Sequence, residues 1–278
     1  MIDLEGVSFS YRDHGDAPPF SLNDINISIP EGCYAAIIGP NGCGKTTVSK
    51  IIKGLISPDR GKVRVANRIL ERGEMSPEVG LVFSNPENQI VSAIVEEDVA
   101  FGLENLGMPP AKMKRKVGET LKKFNLTHLA KMLPHHLSGG EQQRLVIAGI
   151  YCMGLRVMVL DEATSMLDSR GKRDVLFLIR ELNKNENITI VSITHSITEA
   201  FLADKIFVMD KGRIVFSGTP KELLFREDIF AGIKADIPEF LLFIKRMSRA
   251  GLGFPDGNLG IETVFNILIE KKKERDHE

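Results

Sequence analysis

Cysteine is scarce in this chain: Cys33, Cys43 and Cys152 are the only three in 278 residues. An odd, sparse set without CxxC spacing argues against a disulfide framework and against structural zinc, and it favours a reducing compartment. Long apolar runs are missing as well. No stretch approaches the ~18 residues that would cross a bilayer. The start, MIDLEGVSFSYRDHGD, has no basic segment followed by an apolar one, so no secretory signal is read. Any membrane association is therefore expected to go through a partner. Neither sign of charge is in surplus. The 36 Lys and Arg against 37 Asp and Glu leave a formal net charge of -1. No global field steers the chain to nucleic acid or to an anionic membrane. Internal repeats and heptad runs are also absent, which excludes solenoids and long coiled coils.

What is present is enough apolar material, 43% of residues, for a packed core. That predicts one large domain or a domain with an appendage. Residues 2–10 and 22–29 alternate apolar and polar, as strands do, and DHGDAPP at 13–19 reads as a turn. The continuous run YAAIIG from Tyr34 suits a strand buried on both faces. Strands follow near 62–66 and 79–83, and 96–130 is helical, broken by Gly107 and Pro109–Pro110. A helix through Gly149, a strand 157–160, a helix 169–185, a strand 188–193, a helix 196–202 and a hairpin 205–216 come next. Beyond Gly218-Thr219-Pro220 the pattern turns helical over 221–272, with a Gly/Pro-rich break at 251–260, and KKKERDHE reads as a frayed end.

Gly39, Pro40, Asn41, Gly42, Cys43, Gly44, Lys45 and Thr46 fit G-x-x-x-x-G-K-[ST], with Thr47 following. A phosphate chain needs many inward N–H donors, and a glycine-rich backbone can wrap closely enough to supply them. The helix that follows presents its positive end. Lys45 neutralises the β- and γ-phosphates, and the Thr46 hydroxyl can ligate Mg²⁺. By residue usage such a match arises by chance in about one chain of this length in a hundred, and the strand-loop-helix setting lowers that further. ATP is the expected ligand.

VMVLDE places Asp161 at the mouth of a buried strand with Glu162 next. Asp161 is a candidate Mg²⁺ holder and Glu162 a candidate base for the attacking water. Acidic strand ends are often only solvated caps; the glycine-rich loop upstream tips the balance toward chemistry. His128, His135 and His136 show no metal-ligand spacing, and the basic cluster at 112–116 reads as a solvated helix face.

LSGGEQQR at 137–144 completes a set with Gly39–Thr46, Asp161–Glu162, Ser165-Met166-Leu167-Asp168 and His195 in SITHS. Together these resemble the nucleotide-binding subunits of ABC transporters along most of the chain. The resemblance implies an α/β fold: a P-loop NTPase core, residues 1–220, with an N-terminal antiparallel β section and a helical subdomain near 90–150. A small helical appendage, 221–278, would follow. It implies an ATPase in which Ser138, Gly139 and Gly140, with Glu141 beside them, meet the γ-phosphate held by the opposite subunit's loop. The glycine pair opening a helix is a second anion cradle, and one chain cannot easily fold both cradles onto one triphosphate. His195 would contact the γ-phosphate, Asp168 would lie at the dimer seam, and Tyr11 would stack on adenine. The family normally has glutamine at the position of Ser84, in VFSNPENQ; serine is too short to reach metal and water, so a slower site is expected, and Gln89 is not assumed to compensate.

The stretch VFSNPENQIVSAIVEEDVAFGLENLGMP and the C-terminal GTPKELLF and DIPEFLLFIKRMSRAGLGFPDG resemble the energy-coupling factor (ECF) branch and the related cobalt and nickel importers. That resemblance implies a second ABC ATPase, a membrane coupling protein and a substrate-capturing membrane subunit for a vitamin or metal ion. No nucleic acid is implied, and the chain would lie peripherally on the cytoplasmic membrane face. The rivals are a soluble non-transport ABC ATPase, disfavoured by the single P-loop, and a catalytically weak regulatory subunit, favoured by Ser84 alone. Cys43, inside the loop, would react with alkylating reagents and be protected by MgATP if it were exposed.

Overall fold

The computed structural model describes residues 1–11 and 20–276. The turn expected at 13–19 lies outside the described residues. β1 (Ile2–Ser10) and β2 (Ser21–Ile29) pair antiparallel, with Ile2 opposite Ile29 and Leu4 opposite Ile27. β3 (Tyr34–Ile38) is buried at every residue and runs through the glycine loop into α1 (Lys45–Lys53). β4 (Arg60–Val65) and the two-residue β5 (Arg68–Ile69), which the sequence pattern did not signal, complete a sheet of order β2-β1-β4-β5.

β6 (Val79–Val82) precedes three helices: α2 (Val95–Asn105), α3 (Pro110–Lys123) and α4 (Gly139–Cys152). Pro110 starts α3 where a missing N–H costs nothing. α4 begins at a capping box, with Ser138 and Glu141 satisfying each other's backbone N–H groups. Then come β7 (Val157–Asp161), α5 (Ser169–Glu186), β8 (Thr189–Ile193), the short α6 (Ile197–Ala200), β9 (Lys205–Asp210) and β10 (Arg213–Gly218). The central sheet has the order β10-β9-β3-β8-β7-β6, parallel except for β10.

Period-two alternation splits this sheet's side chains between two cores. Ala35, Ile37, Val159 and Val191 face the antiparallel sheet and α1. Tyr34, Ala36, Ile38, Met158 and Ile190 face the helices of the other layer. The C-terminal helices α7 (Pro220–Leu224), α8 (Glu227–Gly232), α9 (Glu239–Arg249) and α10 (Ile261–Asp276) feed Leu223, Phe230, Leu241, Ile244 and Val264 into that second core. These C-terminal helices are anchored by shared apolar burial and by Leu259 N–H donating to Phe201 O at 2.7 Å. α10 continues to Asp276, which corrects the expectation of fraying from residue 271. Lys, Glu and Arg are good helix formers, so this charged end extends the helix rather than breaking it.

Candidate nucleotide site

The carboxyl ends of β3, β7 and β8 converge, and that is where parallel α/β sheets present ligand sites. The loop after β3 turns on Gly42 and Gly44, at φ 76° and 110°, where a Cβ would be unfavourable. At Gly44 a Cβ would also meet Leu22 at 2.5 Å and Phe20 at 2.6 Å. Gly44 caps α1 without any side-chain hydrogen bond, and the helix's first turn holds no acidic residue. Its N–H groups and positive end are therefore left for an anion. Lys45 is buried, yet its Nζ reaches only two carbonyls, Gly39 O at 2.8 Å and Pro40 O at 3.0 Å. An ammonium has three donors, and no carboxylate lies within ion-pair distance of this one among the described residues.

Asn41, Gly42, Gly44, Lys45, Thr46 and Thr47 form one wall of an open cleft of about 420 Å³, closed by Phe20 and Glu162. A larger cleft of about 530 Å³ lies at the amino ends of the strands, between Glu31, Tyr151 and Arg156. There Lys123 pairs with Glu186 within the wall. The chemistry belongs to the smaller cleft.

Asp161 ends β7 beneath Thr46. Thr46 Oγ1 donates to Asp161 Oδ1 at 3.2 Å, and Ser49 Oγ donates to Asp161 Oδ2 at 3.0 Å. Burial pushes the Asp161 carboxyl above the usual carboxylate range, against the pull of these two hydroxyls. A buried acid with hard oxygen donors around it and no ion-pair partner among the described residues suits Mg²⁺. Ser49 was missed in the sequence, although it stands three residues after Thr46 on the same helix face, a readable spacing.

Glu162 adopts φ 53°, a left-handed conformation that a non-glycine residue holds only where its surroundings over-determine it. Its N–H is fixed to Ile193 O at 2.9 Å, and His195 Nδ1 lies 3.9 Å from its Oε2. The structure thus brings Lys45, Thr46, Asp161, Glu162 and His195 to one place. Tyr11 stands at the lip, half exposed, its hydroxyl 3.5 Å from Thr47 Oγ1 and its ring edge-on to Phe9 at 4.8 Å. Phe20, 6.4 Å from Tyr11, is an aromatic wall that nothing in the sequence marked.

Other expected residues are placed apart. Cys43 turns into the core under the loop and is only 4% exposed, so its side chain does not face ligand, and burial raises its thiol pKa. Ser138, Gly139 and Gly140 are not among the residues lining the cleft. Glu141, held by Ser138 Oγ and Ser138 N–H, is kept below the usual carboxylate range. Asp168 caps α5 through Gly171 N–H at 2.9 Å. Ser84 follows β6; Gln89 folds back onto that strand's end, accepting from Phe83 N–H at 2.6 Å and donating to Leu81 O at 2.9 Å. Gln143 of α4, another residue the sequence did not flag, donates to Phe83 O at 3.4 Å.

Residues 22–165 match the ABC transporter family. The chain belongs to the ABC transporter family. It is an ATPase of that type, and it is 40% identical to the energy-coupling factor transporter ATP-binding protein EcfA1 of Caldanaerobacter subterraneus subsp. tengcongensis over 272 residues, 96% of this chain and 98% of that one. The corresponding protein of Clostridium novyi is 37% identical over 98% of this chain and 99% of its own. Among solved structures, cbiO1 from Clostridium perfringens, part of the ABC transporter complex cbiONQ, superposes with a TM-score of 0.73 at 31% identity, covering 88% of this ABC chain and 98% of that one. An ATP-binding cassette solved as a dimer in a post-hydrolysis state with ADP and Pi gives 0.69 at 27% identity, covering 79% and 99%. No helix among the described residues is long and apolar enough to cross a membrane.

Proposed function

We propose that this chain is the ATP-binding and hydrolysing subunit of an ECF-type importer, driving uptake of a vitamin or metal ion through membrane partners. The observation that carries the reading is the division of the two anion cradles. The Lys45 loop lines the cleft, while the Ser138-Gly139-Gly140 helix start lies outside it. A triphosphate gripped by both needs a second ATPase subunit, whose own cradle completes this site while Ser138, Gly139 and Gly140 complete the other. ATP then favours the closed pair, and loss of the γ-phosphate releases it.

Within that pair, the Gly39–Thr47 loop holds the phosphates through the backbone N–H groups from Gly44 onward, and Lys45 neutralises their charge. Thr46 and Asp161 are the residues that would hold Mg²⁺, which when bound offsets phosphate charge. Glu162 orients the attacking water and takes its proton; His195 faces the γ-phosphate beside it. Tyr11, with Phe20, supplies an aromatic face for the adenine, Glu141 fixes the signature turn, and Asp168 lies at the seam between subunits. The chain divides at residue 220 into the ATP-binding portion and the C-terminal helices. It sits peripherally on the cytoplasmic membrane face, against a coupling protein and a substrate-capturing subunit.

The test is to purify the chain from its own membrane and identify what accompanies it by mass spectrometry. The expected companions are a second ABC ATPase and at least two integral membrane proteins. A hydrolysing preparation containing one copy of the chain and no other ATPase would overturn the reading.

A further inference from the structure

We infer that Glu199 is a positioning residue for hydrolysis, a single buried carboxylate that holds the Glu162 loop and the His195 loop in register. This rests on the proposed roles of Glu162 and His195. Glu199 is 5% exposed and sits on α6. Its Oε2 accepts from Thr164 Oγ1 at 2.9 Å and from Thr194 Oγ1 at 3.2 Å. Its Oε1 pairs with Lys172 Nζ on the first turn of α5. Thr164 lies two residues after Glu162, and Thr194 immediately precedes His195. Thr194 Oγ1 also accepts from Ser196 N–H at 3.0 Å, which commits its own proton to Glu199.

Three separate segments therefore meet on one acid group: the turn after β7, the turn after β8, and the start of the helix capped by Asp168. Both threonines are buried, so neither hydroxyl can readily exchange Glu199 for water. A carboxylate is all acceptor and meets one ammonium and two hydroxyls here; an apolar replacement would orphan all three. The left-handed backbone at Glu162 needs support from its neighbours, and Thr164 anchored to Glu199 supplies some of it. A displacement of about 1 Å in either catalytic loop can cost on the order of 10²-fold in rate. The arrangement also ties the seam residue Asp168, one turn from Lys172, to the reacting pair, since Lys172 N–H donates to Asp168 O at 2.9 Å.

The experiment uses the full chain in complex with its co-purified partners and measures steady-state MgATP hydrolysis beside the affinity for a fluorescent ATP analogue. The variants are E162Q, E199L, T164V, T194V and the double variant E199Q/K172Q. E199L is expected to lose about 10–100-fold in kcat while nucleotide affinity stays within about twofold. E199Q/K172Q keeps an oxygen for both threonines and removes the unpaired ammonium, so it should recover to within about threefold of the parent. T164V and T194V leave the Lys172 pair intact and should each cost about tenfold; they decide the matter if E199L does not fold. Parental rates in E199L, T164V and T194V, with E162Q inactive, overturn the inference and leave the functional reading standing. Affinity falling in step with kcat, or no recovery in E199Q/K172Q, reduces Glu199 to fold support and also overturns it. Parental hydrolysis by E162Q removes the functional reading itself.

Discussion

His195 Nδ1 lies 3.9 Å from Glu162 Oε2, too far for a hydrogen bond, and the proposed roles put both side chains at one phosphate and its water. The two side chains follow different strands, β7 and β8, and the Glu162 N–H to Ile193 O bond ties the two turns together. Glu162→Gln keeps size and backbone but cannot take a proton. Hydrolysis should fall by about 10²–10⁴-fold while ATP binding persists. The ATP-bound variant should therefore elute as a stable dimer on size exclusion; a variant that turns over at the parental rate would show the base to be another residue.

Lys45 holds two loop carbonyls and keeps a third donor for phosphate. Replacing it by alanine removes a charge-assisted contact worth about 1.5–3 kcal/mol, so ATP affinity should weaken by about 10–100-fold. Equilibrium binding of ATP to Lys45→Ala, measured without turnover, checks this; unchanged affinity rejects its place at the phosphates.

The resemblance puts Ser84, just after β6, where the family carries a glutamine. Gln89 does not take over, because both ends of its amide are bound to the end of β6. Ser84→Gln should therefore raise ATP turnover in the assembled complex by a few-fold, on the order of one positioned hydrogen bond. Equal turnover and equal transport coupling in parent and variant would count against a deficit at this position.

The residues that could be read from the chain are those whose signals are local. YAAII ahead of GPNGCGKTT, VMVLD ahead of Glu162, and the Gly139–Gly140 pair opening a helix each carry strand, loop or helix start within a few residues, and the structure places each as expected. What escaped depends on distant packing. Ser49 meets Asp161 across 112 residues of sequence, and the Glu199 cluster needs α5, α6 and two strand ends assembled first. The orientation of Cys43 was equally hidden. The tight wrap of the loop turns its Sγ inward, to 2.9 Å from where a Cβ on Gly39 would sit.

That burial reverses the labelling behaviour expected of an exposed loop thiol. Cys43 and Cys152 are buried, and Cys33, the most accessible, is pushed up to about 11 by burial and by Asp204. Near neutral pH very little of Cys33 is therefore thiolate. Iodoacetamide should leave the native chain unmodified with or without MgATP, and should label all three cysteines in denaturant. Rapid native labelling at Cys43, read by peptide mass spectrometry, would contradict the inward orientation.

Asp98 provides a pH test of the segment that follows Ser84. Its Oδ1 accepts from Val91 N–H at 2.8 Å and Ser92 N–H at 3.1 Å, tying that segment to α2. Burial nevertheless dominates those two bonds and raises its carboxyl above the ordinary 3.8. The folded state then holds this proton more tightly than the unfolded state does. The contribution to stability is complete below the ordinary value and is lost as pH rises through the raised one. Asp98→Asn keeps the accepting oxygen and carries no charge, so its stability relative to the parent should improve between pH 4 and pH 7. Asp98→Ala orphans both N–H groups and should cost about 1–3 kcal/mol at either pH. Paired denaturant melts at the two pH values decide it: an asparagine variant that loses ground as pH rises would mean that the charged carboxylate, not the bare acceptor, is what this turn requires.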